Sequence, residues 1–378
     1  MTKEKILIVD DSPTNVKFIK MFLLKEGYKI YVAENGIEAL QILKKENIDL
    51  VITDIVMPKM DGYELCAKMK INKETKEIPI IVITALSETE DKVKTLDSGA
   101  DEFLSKPFNS IELIARVKSL LRGRKYYRQI IKQNLIYEKE LNIAKIVQES
   151  ILPKNEPQVD NMLFASKYIP AYFIGGDYYN YNQIDEKKLS IFISDVMGHG
   201  VISSLVTMIL KSNFDNLTEY YNIPSDLLKM LNKRIYDSIS DSMIYSTGIY
   251  AIIDIEKMKL TYSCAGHPPF YKIDSNGELS SYKTSGGVLG LFEEMEYIDE
   301  SLKLEKGDTL IFYTDGVTEV TNKEGVEFGE YQFIEEIKKA PQYSHPEEFI
   351  ENLIESIKRY GNKKEFEDDI NLIVFKCI

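Results

Sequence analysis

Histidine and cysteine are scarce in this sequence, and long apolar runs are missing altogether. Among 378 residues there are three cysteines, Cys66, Cys264 and Cys377, and three histidines, His199, His267 and His345. The cysteines are widely separated and form no C-x-x-C pair, which argues against a disulfide framework or a thiolate zinc site. With so few imidazoles, any multi-metal site must rest on carboxylates, whose oxygen donors suit Mg²⁺ or Mn²⁺ better than zinc or copper. Positive charge is also short. Forty-seven Lys and Arg stand against 60 Asp and Glu, a formal net charge of −13, so no nucleic-acid partner is expected. No apolar run approaches the length of a membrane span, and Met1–Lys5 leads straight into a strand-like segment without a signal-peptide core. The expectation is a cytoplasmic protein with no membrane partner.

What is present describes a globular chain. Hydrophobic residues make up 44% and charged residues 28%, and the length calls for two domains plus a connector. The first part alternates β-branched runs (Ile6–Val9, Ile30–Ala33, Leu50–Thr53, Ile80–Ile83, Glu102–Leu104) with amphipathic stretches. The latter are Pro13–Lys25, Gly36–Lys45, Gly62–Lys70, Glu88–Ser98 and Ser110–Leu121. This (βα)₅ pattern predicts a doubly wound α/β domain with a parallel sheet covered on both faces.

From about Arg124 to Ile151 there is neither Pro nor Gly. Tyr127, Ile130, Asn134, Tyr137, Leu141, Ala144, Gln148 and Ile151 fall on alternating three- and four-residue steps, the spacing of a coiled-coil seam. The alternative is a single helix packed on the domain that follows. Pro153 and Pro157 end it. Beyond lie strand-like runs (Ser190–Ser194, Thr247–Ile255, Lys259–Cys264, Thr309–Thr314) with turns at Asp254–Met258 and Asn276-Gly277. Helical patterns Val201–Leu217, Ser225–Ile239 and Glu347–Tyr360 interrupt them. This half reads as α+β, an antiparallel β-sandwich with helices outside. The expected division is 1–122, a helical linker 123–152, and 153–378.

Two acidic constellations carry the chemistry. In the first, Asp10 and Asp11 follow one strand, Asp54 ends another, Thr84 ends a fourth and Lys106 follows a fifth. Ligands of open parallel sheets gather at such strand ends. Converging carboxylates call for a cation, and a carboxylate, Mg²⁺ and a Lys are the parts needed to accept a phosphoryl group. Asp10-Asp11, Asp54 with Met57-Pro58 and Asp61-Gly62, Thr84-Ala85 and Lys106-Pro107-Phe108 together resemble a bacterial response-regulator receiver domain over about Lys3–Arg122. The resemblance implies Asp54 as phosphoacceptor, and Asp10, Asp11 and the Val56 carbonyl around Mg²⁺ with Asp54. It further implies Thr84 and Lys106 on the phosphoryl oxygens, Phe103 as switch aromatic, a cis Lys106–Pro107 bond, and a sensor histidine kinase or phosphotransfer protein as donor.

In the second, four segments set an Asp among small residues: Gly175-Gly176-Asp177, Ser194-Asp195-Val196-Met197-Gly198-His199-Gly200, Thr314-Asp315-Gly316 and Glu367-Asp368-Asp369-Ile370-Asn371. A binuclear carboxylate site of this kind activates water for in-line phosphoryl displacement without a protein nucleophile. In this order they resemble the metal-dependent serine/threonine phosphatases (PPM, type 2C), in particular the bacterial SpoIIE-type branch, which acts on anti-sigma-factor antagonists. Ala265-Gly266-His267-Pro268-Pro269, Gly286-Gly287-Val288-Leu289-Gly290 and the helix Ala144–Gln148 before Leu152-Pro153 add to the likeness.

The resemblance implies two Mn²⁺ or Mg²⁺ ions. Asp195 would bridge them, the Val196 carbonyl would complete one shell, Asp315 and Asp368 would bind the other ion, and Asp177 would serve as ligand or water holder. Asn180 and Asn371 depart from the family pattern, and Asn180 is expected to weaken one metal position. His199 and His267 read as turn-shaping residues. Gly175–Tyr179 superficially resembles a diguanylate cyclase signature, but Tyr178 and Tyr179 stand where that pattern has an acid and Phe. The expected function is thus a receiver-regulated phosphoprotein phosphatase, with a homodimer through the linker helix. Its alternative is a catalytically weak PPM-fold adaptor under receiver control.

Overall fold

The computed structural model describes residues 3–84, 98–362 and 366–378. The chain divides into two compact units, Met1–Tyr137 and Glu138–Ile378. In the first, β1 (Lys5–Val9), β2 (Lys29–Ala33), β3 (Leu50–Asp54), β4 (Ile80–Thr84) and β5 (Glu102–Ser105) pair in parallel in the order β2-β1-β3-β4-β5. β1 and β3 are each β-branched at three of their five positions and buried on both faces. Leu7 and Val51 pack to one side, Ile6, Ile8 and Ile52 to the other, as a covered parallel sheet requires. The helices start at polar caps. Ser12 precedes α1 (Pro13–Lys25), Asn35 precedes α2 (Gly36–Lys45) and Asp61 precedes α3 (Gly62–Ile71), each accepting from an amide in the first turn. All but the last residue of the helix expected over Glu88–Ser98, together with Ala85, fall in 85–97, outside the described residues.

The helix expected to close this series at Leu121 instead runs on as α4 (Ser110–Ile151), because nothing in its sequence stops it before Pro153. Its middle is exposed: Tyr127, Ile130, Leu135 and Tyr137 all lie open on its surface. Near its end the expected seam gives way. Gln148 is buried and bonded to Gly175 of the second unit, and Ile151 and Leu152 join that unit's core. Over these last turns, then, the helix packs on the domain that follows.

The second unit is a sandwich of two five-stranded antiparallel sheets, built from β6 (Met162–Ile169), β7 (Asp177–Asp185), β8 (Lys188–Val196), β9 (Ser246–Asp254), β10 (Lys259–Ala265), β11 (Phe270–Ile273), β12 (Leu279–Tyr282), β13 (Glu300–Lys303), β14 (Thr309–Tyr313) and β15 (Ile370–Cys377). Their orders are β13-β10-β9-β8-β7 and β12-β11-β14-β15-β6. Side-chain alternation along the strands sorts residues between layers. Ile191 and Ile193 of β8 (Lys188–Val196) face the inter-sheet core with Phe312 of β14 (Thr309–Tyr313) and Phe375 of β15 (Ile370–Cys377). Phe192, on the opposite face of β8, packs with Tyr178 and Tyr250 beneath α5 (Val201–Thr218) and α6 (Pro224–Ile239). Ile311 and Val374 face outward beneath α7 (Gly329–Ile337) and α8 (Pro346–Gly361). No helix among the described residues is long and apolar enough to cross a membrane.

Candidate functional site

The parallel sheet brings its strand ends to one edge. Asp54 ends β3 and Lys106 follows β5, and the Lys106 ammonium lies 2.7 Å from Asp54 Oδ2. Asp54 Oδ1 accepts from the Ile55 amide at 2.8 Å. Asp10, just after β1, is buried. Its Oδ1 accepts from the Ser12 amide at 2.8 Å, and the Asn15 side-chain amide reaches both of its oxygens. Burial raises its pKa above the ordinary carboxylate value, and the neighbouring Asp54 charge adds to the shift. Thr84 is buried at the end of β4, its carbonyl accepting from the Lys106 amide at 2.7 Å. The Lys106–Pro107 bond is cis, as the resemblance implied. Asp11 and Val56 are exposed, and Phe103 is half-buried on β5. Gly62 lets α3 press on this edge, where a Cβ would collide with the Asp54 carbonyl.

In the sandwich the acids meet where the two sheets come together. Asp177, which opens β7 (Asp177–Asp185), is the cross-strand partner of Asp195 near the end of β8. Tyr179 and Ile193 lie in the inter-sheet core, so alternation turns Asp177 and Asp195 to that same side. The opposite sheet supplies the rest. Thr314 follows β14, and its hydroxyl donates to Asp177 Oδ2 at 2.6 Å while accepting from the Asn371 amide at 3.1 Å. Asp315 begins a 3₁₀ turn whose Gly316 packs so tightly on the Asp368–Asp369 backbone that a side chain there would overlap it.

Electrostatics confirms the crowding. Burial, followed by the charges of Asp315 and Asp368, pushes Asp195 up to about 7. Burial and then Asp368 raise Asp315, and burial and then Asp195 raise Asp177. Among the described residues no Lys, Arg or His forms an ion pair with Asp177, Asp195, Asp315, Asp368 or Asp369. The Tyr168 hydroxyl and both polar atoms of the Asn371 amide are buried without a hydrogen-bond partner there.

Three residues organise this cluster that sequence reasoning left out or placed elsewhere. Asp369 is buried. Its Oδ1 accepts from the Ala171 amide at 2.8 Å, and its Oδ2 accepts from the amides of Gly176 and Asp177. Gln148 pairs with Gly175 in both directions, donating to its carbonyl at 2.6 Å and accepting from its amide at 3.0 Å. His267 is wholly buried between the sheets. Its Nε2 donates to the Tyr313 carbonyl at 3.1 Å, so Nδ1 accepts from the Thr247 hydroxyl at 2.7 Å. Burial lowers its pKa to about 3, which keeps it neutral. His199 stacks on Tyr172 at the surface. Asn180 lies on the Tyr178 face of β7, bonded to Asp215 of α5 at 3.4 Å and turned away from the acids.

Among the described residues, no three acidic, cysteine or histidine side chains converge on one point as a closed metal cage would. The donor set nevertheless fits hard divalent cations. It offers carboxylate oxygens and the Val196 carbonyl beside Gly176, buried negative charge without protein countercharge, and unmatched polar atoms for the waters such ions retain.

Two sequence families match the chain: "Stage II sporulation protein E (SpoIIE)" over residues 185–378, and "Response regulator receiver domain" over residues 6–118. Phosphoserine phosphatase RsbU of Bacillus subtilis (strain 168) is 31% identical over 238 residues, covering 63% of this chain and 70% of RsbU. The probable transcriptional regulator ycf27 of Porphyra purpurea is 45% identical over 120 residues, 32% of this chain. The chain spans about half the length of that relative (48%). Among solved structures, the SiaA-PP2C domain of Pseudomonas aeruginosa superposes with a TM-score of 0.58 at 22% identity. It covers 65% of this chain and 98% of that domain, a likeness of fold.

Proposed function

Since the chain belongs to the SpoIIE family and also carries a response-regulator receiver domain, we propose that it is a receiver-regulated protein serine/threonine phosphatase. It hydrolyses phosphoserine or phosphothreonine on a partner protein, an anti-sigma-factor antagonist, under control of phosphorylation at Asp54. The observation that carries this reading is the meeting of Asp177 and Asp195 from one sheet with Thr314, Asp315 and Asp368 from the other, with no cation among the described residues to neutralise them.

In this proposal Asp195, with the Val196 carbonyl, and Asp315 and Asp368 would hold two Mn²⁺ or Mg²⁺ ions, which would supply an acidified water and neutralise phosphoryl charge. The chain's own groups hold the geometry. Thr314 orients the Asp177 carboxylate, Asp369 gathers the Gly176–Asp177 amides, and neutral His267 joins the sheets below. At the receiver, Asp54 attacks the phosphorus of a phosphohistidine on a sensor kinase or phosphotransfer protein. The P–N bond breaks, and the Lys106 ammonium screens the gathering charge. Asp10 and Asp11, with the Val56 carbonyl, would hold the Mg²⁺ that neutralises charge in that step, and Thr84 and Phe103 would respond to the new phosphoryl group. We assign 1–122 to the receiver, 123–152 to the linker and 153–378 to the phosphatase. The exposed apolar residues of α4 around Ile130 and Leu135 are assigned to a homodimer.

The test is phosphate release from a phosphoserine antagonist protein by the full chain with Mn²⁺, before and after treatment with acetyl phosphate. Release that depends on Mn²⁺ and changes with acetyl phosphate is expected. A chain that binds the phosphoprotein but releases no phosphate would establish the adaptor instead.

A further inference from the structure

A charged cavity lies at the ends of the receiver strands opposite Asp54. It measures about 240 Å³ and is bounded by Lys3, Glu4, Asp49, Arg124, Lys125 and Arg128, with Leu121 as an apolar wall. Lys3 and Glu4 precede β1 and Asp49 precedes β3, while the other three charged residues sit on α4 just beyond residue 118, where the receiver family match ends. Four cations therefore face two acids, in a chain whose overall charge is −13.

Asp49 is already engaged. Its Oδ1 accepts from Arg128 Nη1 at 3.0 Å, and its Oδ2 accepts from the Lys5 amide at 2.9 Å. Arg124 reaches it only at 3.9 Å, although the Arg124 side chain is 9% exposed. Its Nη1 donates to the Ile48 carbonyl at 2.8 Å, while its Nε is buried without a partner among the described residues. Burial, then the Arg128 charge, brings this guanidinium down to about 10. A desolvated cation with an unused donor, next to like charge, is undercompensated.

We propose that this cavity binds a small multivalent oxyanion, a phosphate or pyrophosphate group, between the receiver sheet and the root of α4. The forked guanidinium groups of Arg124 and Arg128 match the spacing of phosphoryl oxygens, and Lys3 and Lys125 add mobile point charges. No aromatic side chain lines the cavity. No nucleobase is stacked there, and the phosphoryl group is itself the recognised part. A bound anion joins α4 to the N-terminal ends of β1 and β3, giving the receiver a chemical input separate from Asp54.

The experiment is calorimetric titration of the full chain at constant ionic strength, in EDTA so that no cation bridges the ligand to the acidic clusters. Orthophosphate and pyrophosphate form two arms, and a flotation assay with phosphatidylcholine vesicles containing phosphatidic acid forms the third. One pyrophosphate per chain is expected, bound at least tenfold more weakly in Lys125→Gln and in Arg128→Gln, both at exposed positions that leave the circular dichroism unchanged. Arg124→Lys keeps the charge but loses the fork and weakens binding similarly. No binding at millimolar pyrophosphate, unchanged affinity in Lys125→Gln and Arg128→Gln, or binding confined to vesicles would each overturn the proposal.

Discussion

The two acidic sites handle crowded carboxylates in opposite ways. At the receiver edge Asp54 has a cation 2.7 Å away in Lys106 and a backbone amide on its other oxygen. In the sandwich Asp177 is held by the Thr314 hydroxyl and Asp369 by backbone amides, with no ion pair to a cation among the described residues, and Asp195 rises to about 7. In the proposed reading the carboxylate that would attack has its countercharge in the chain. The acids that would hold cations keep their charge unneutralised, which would lower stability until cations bind.

The sharpest way to break this contrast is Asp195→Asn. Mn²⁺-dependent phosphate release should fall by roughly 10³-fold or more. The same change should raise the melting temperature of the metal-free protein by a few degrees above pH 7. An acid whose folded pKa is raised contributes stability below its ordinary 3.8 and loses it as pH rises through about 7. Scanning calorimetry in EDTA reads this. A lower melting temperature would mean that the aspartate is not under repulsive load. On the receiver side, Lys106→Ala should slow acetyl-phosphate labelling of Asp54 by about 10²-fold, and Asp54→Asn should abolish it. Intact mass decides, and a persisting phosphoryl adduct in Asp54→Asn moves the acceptor elsewhere.

Gln148→Ala strips both hydrogen bonds from Gly175. It should lower turnover about tenfold and stability by about 1–3 kcal/mol. Normal kinetics in a correctly folded variant would show that the Gly175–Asp177 turn holds itself. The last test concerns His267. Its folded pKa of about 3 lies below the ordinary 6.5. As pH falls below 6.5 the unfolded chain takes up a proton the folded chain refuses, and stability drops by up to about 1.4 kcal/mol per pH unit. His267→Gln should flatten the chemical-denaturation slope between pH 6 and 4 relative to the parent. Parallel slopes would locate that proton on another group.

Much of this was legible in the chain, and the gaps have a common cause. The strands read as β1, β3 and β4 match because parallel core strands are β-branched runs bounded by turn residues. Pro13–Lys25 and Gly36–Lys45 match in full, since their caps are local signals. β6 (Met162–Ile169) and β7 escaped notice because tyrosines and polar residues blur their alternation. Asp315 and Asp368 stand in motifs visible in the sequence, whereas Asp369, next door, holds amides nearly two hundred residues away. Only the sheet pairing reveals that. Gln148 carried a true signal, its place in a three-four repeat, but the repeat could not say which surface it would meet. The concern over Asn180 falls to strand geometry, because three residues along a strand from Asp177 is the opposite face.

The reciprocal pairing of Gln148 with Gly175 has a further consequence. A primary amide presents an N–H donor and a carbonyl acceptor side by side, as a peptide group does, so this side chain pairs with the Gly175 backbone much as another peptide would. Glu is nearly the same size but offers only acceptors when ionised, and would set a carboxylate against the Gly175 carbonyl. A single change from amide to carboxylate at this position would therefore undo the join between the helix and the Gly175 loop.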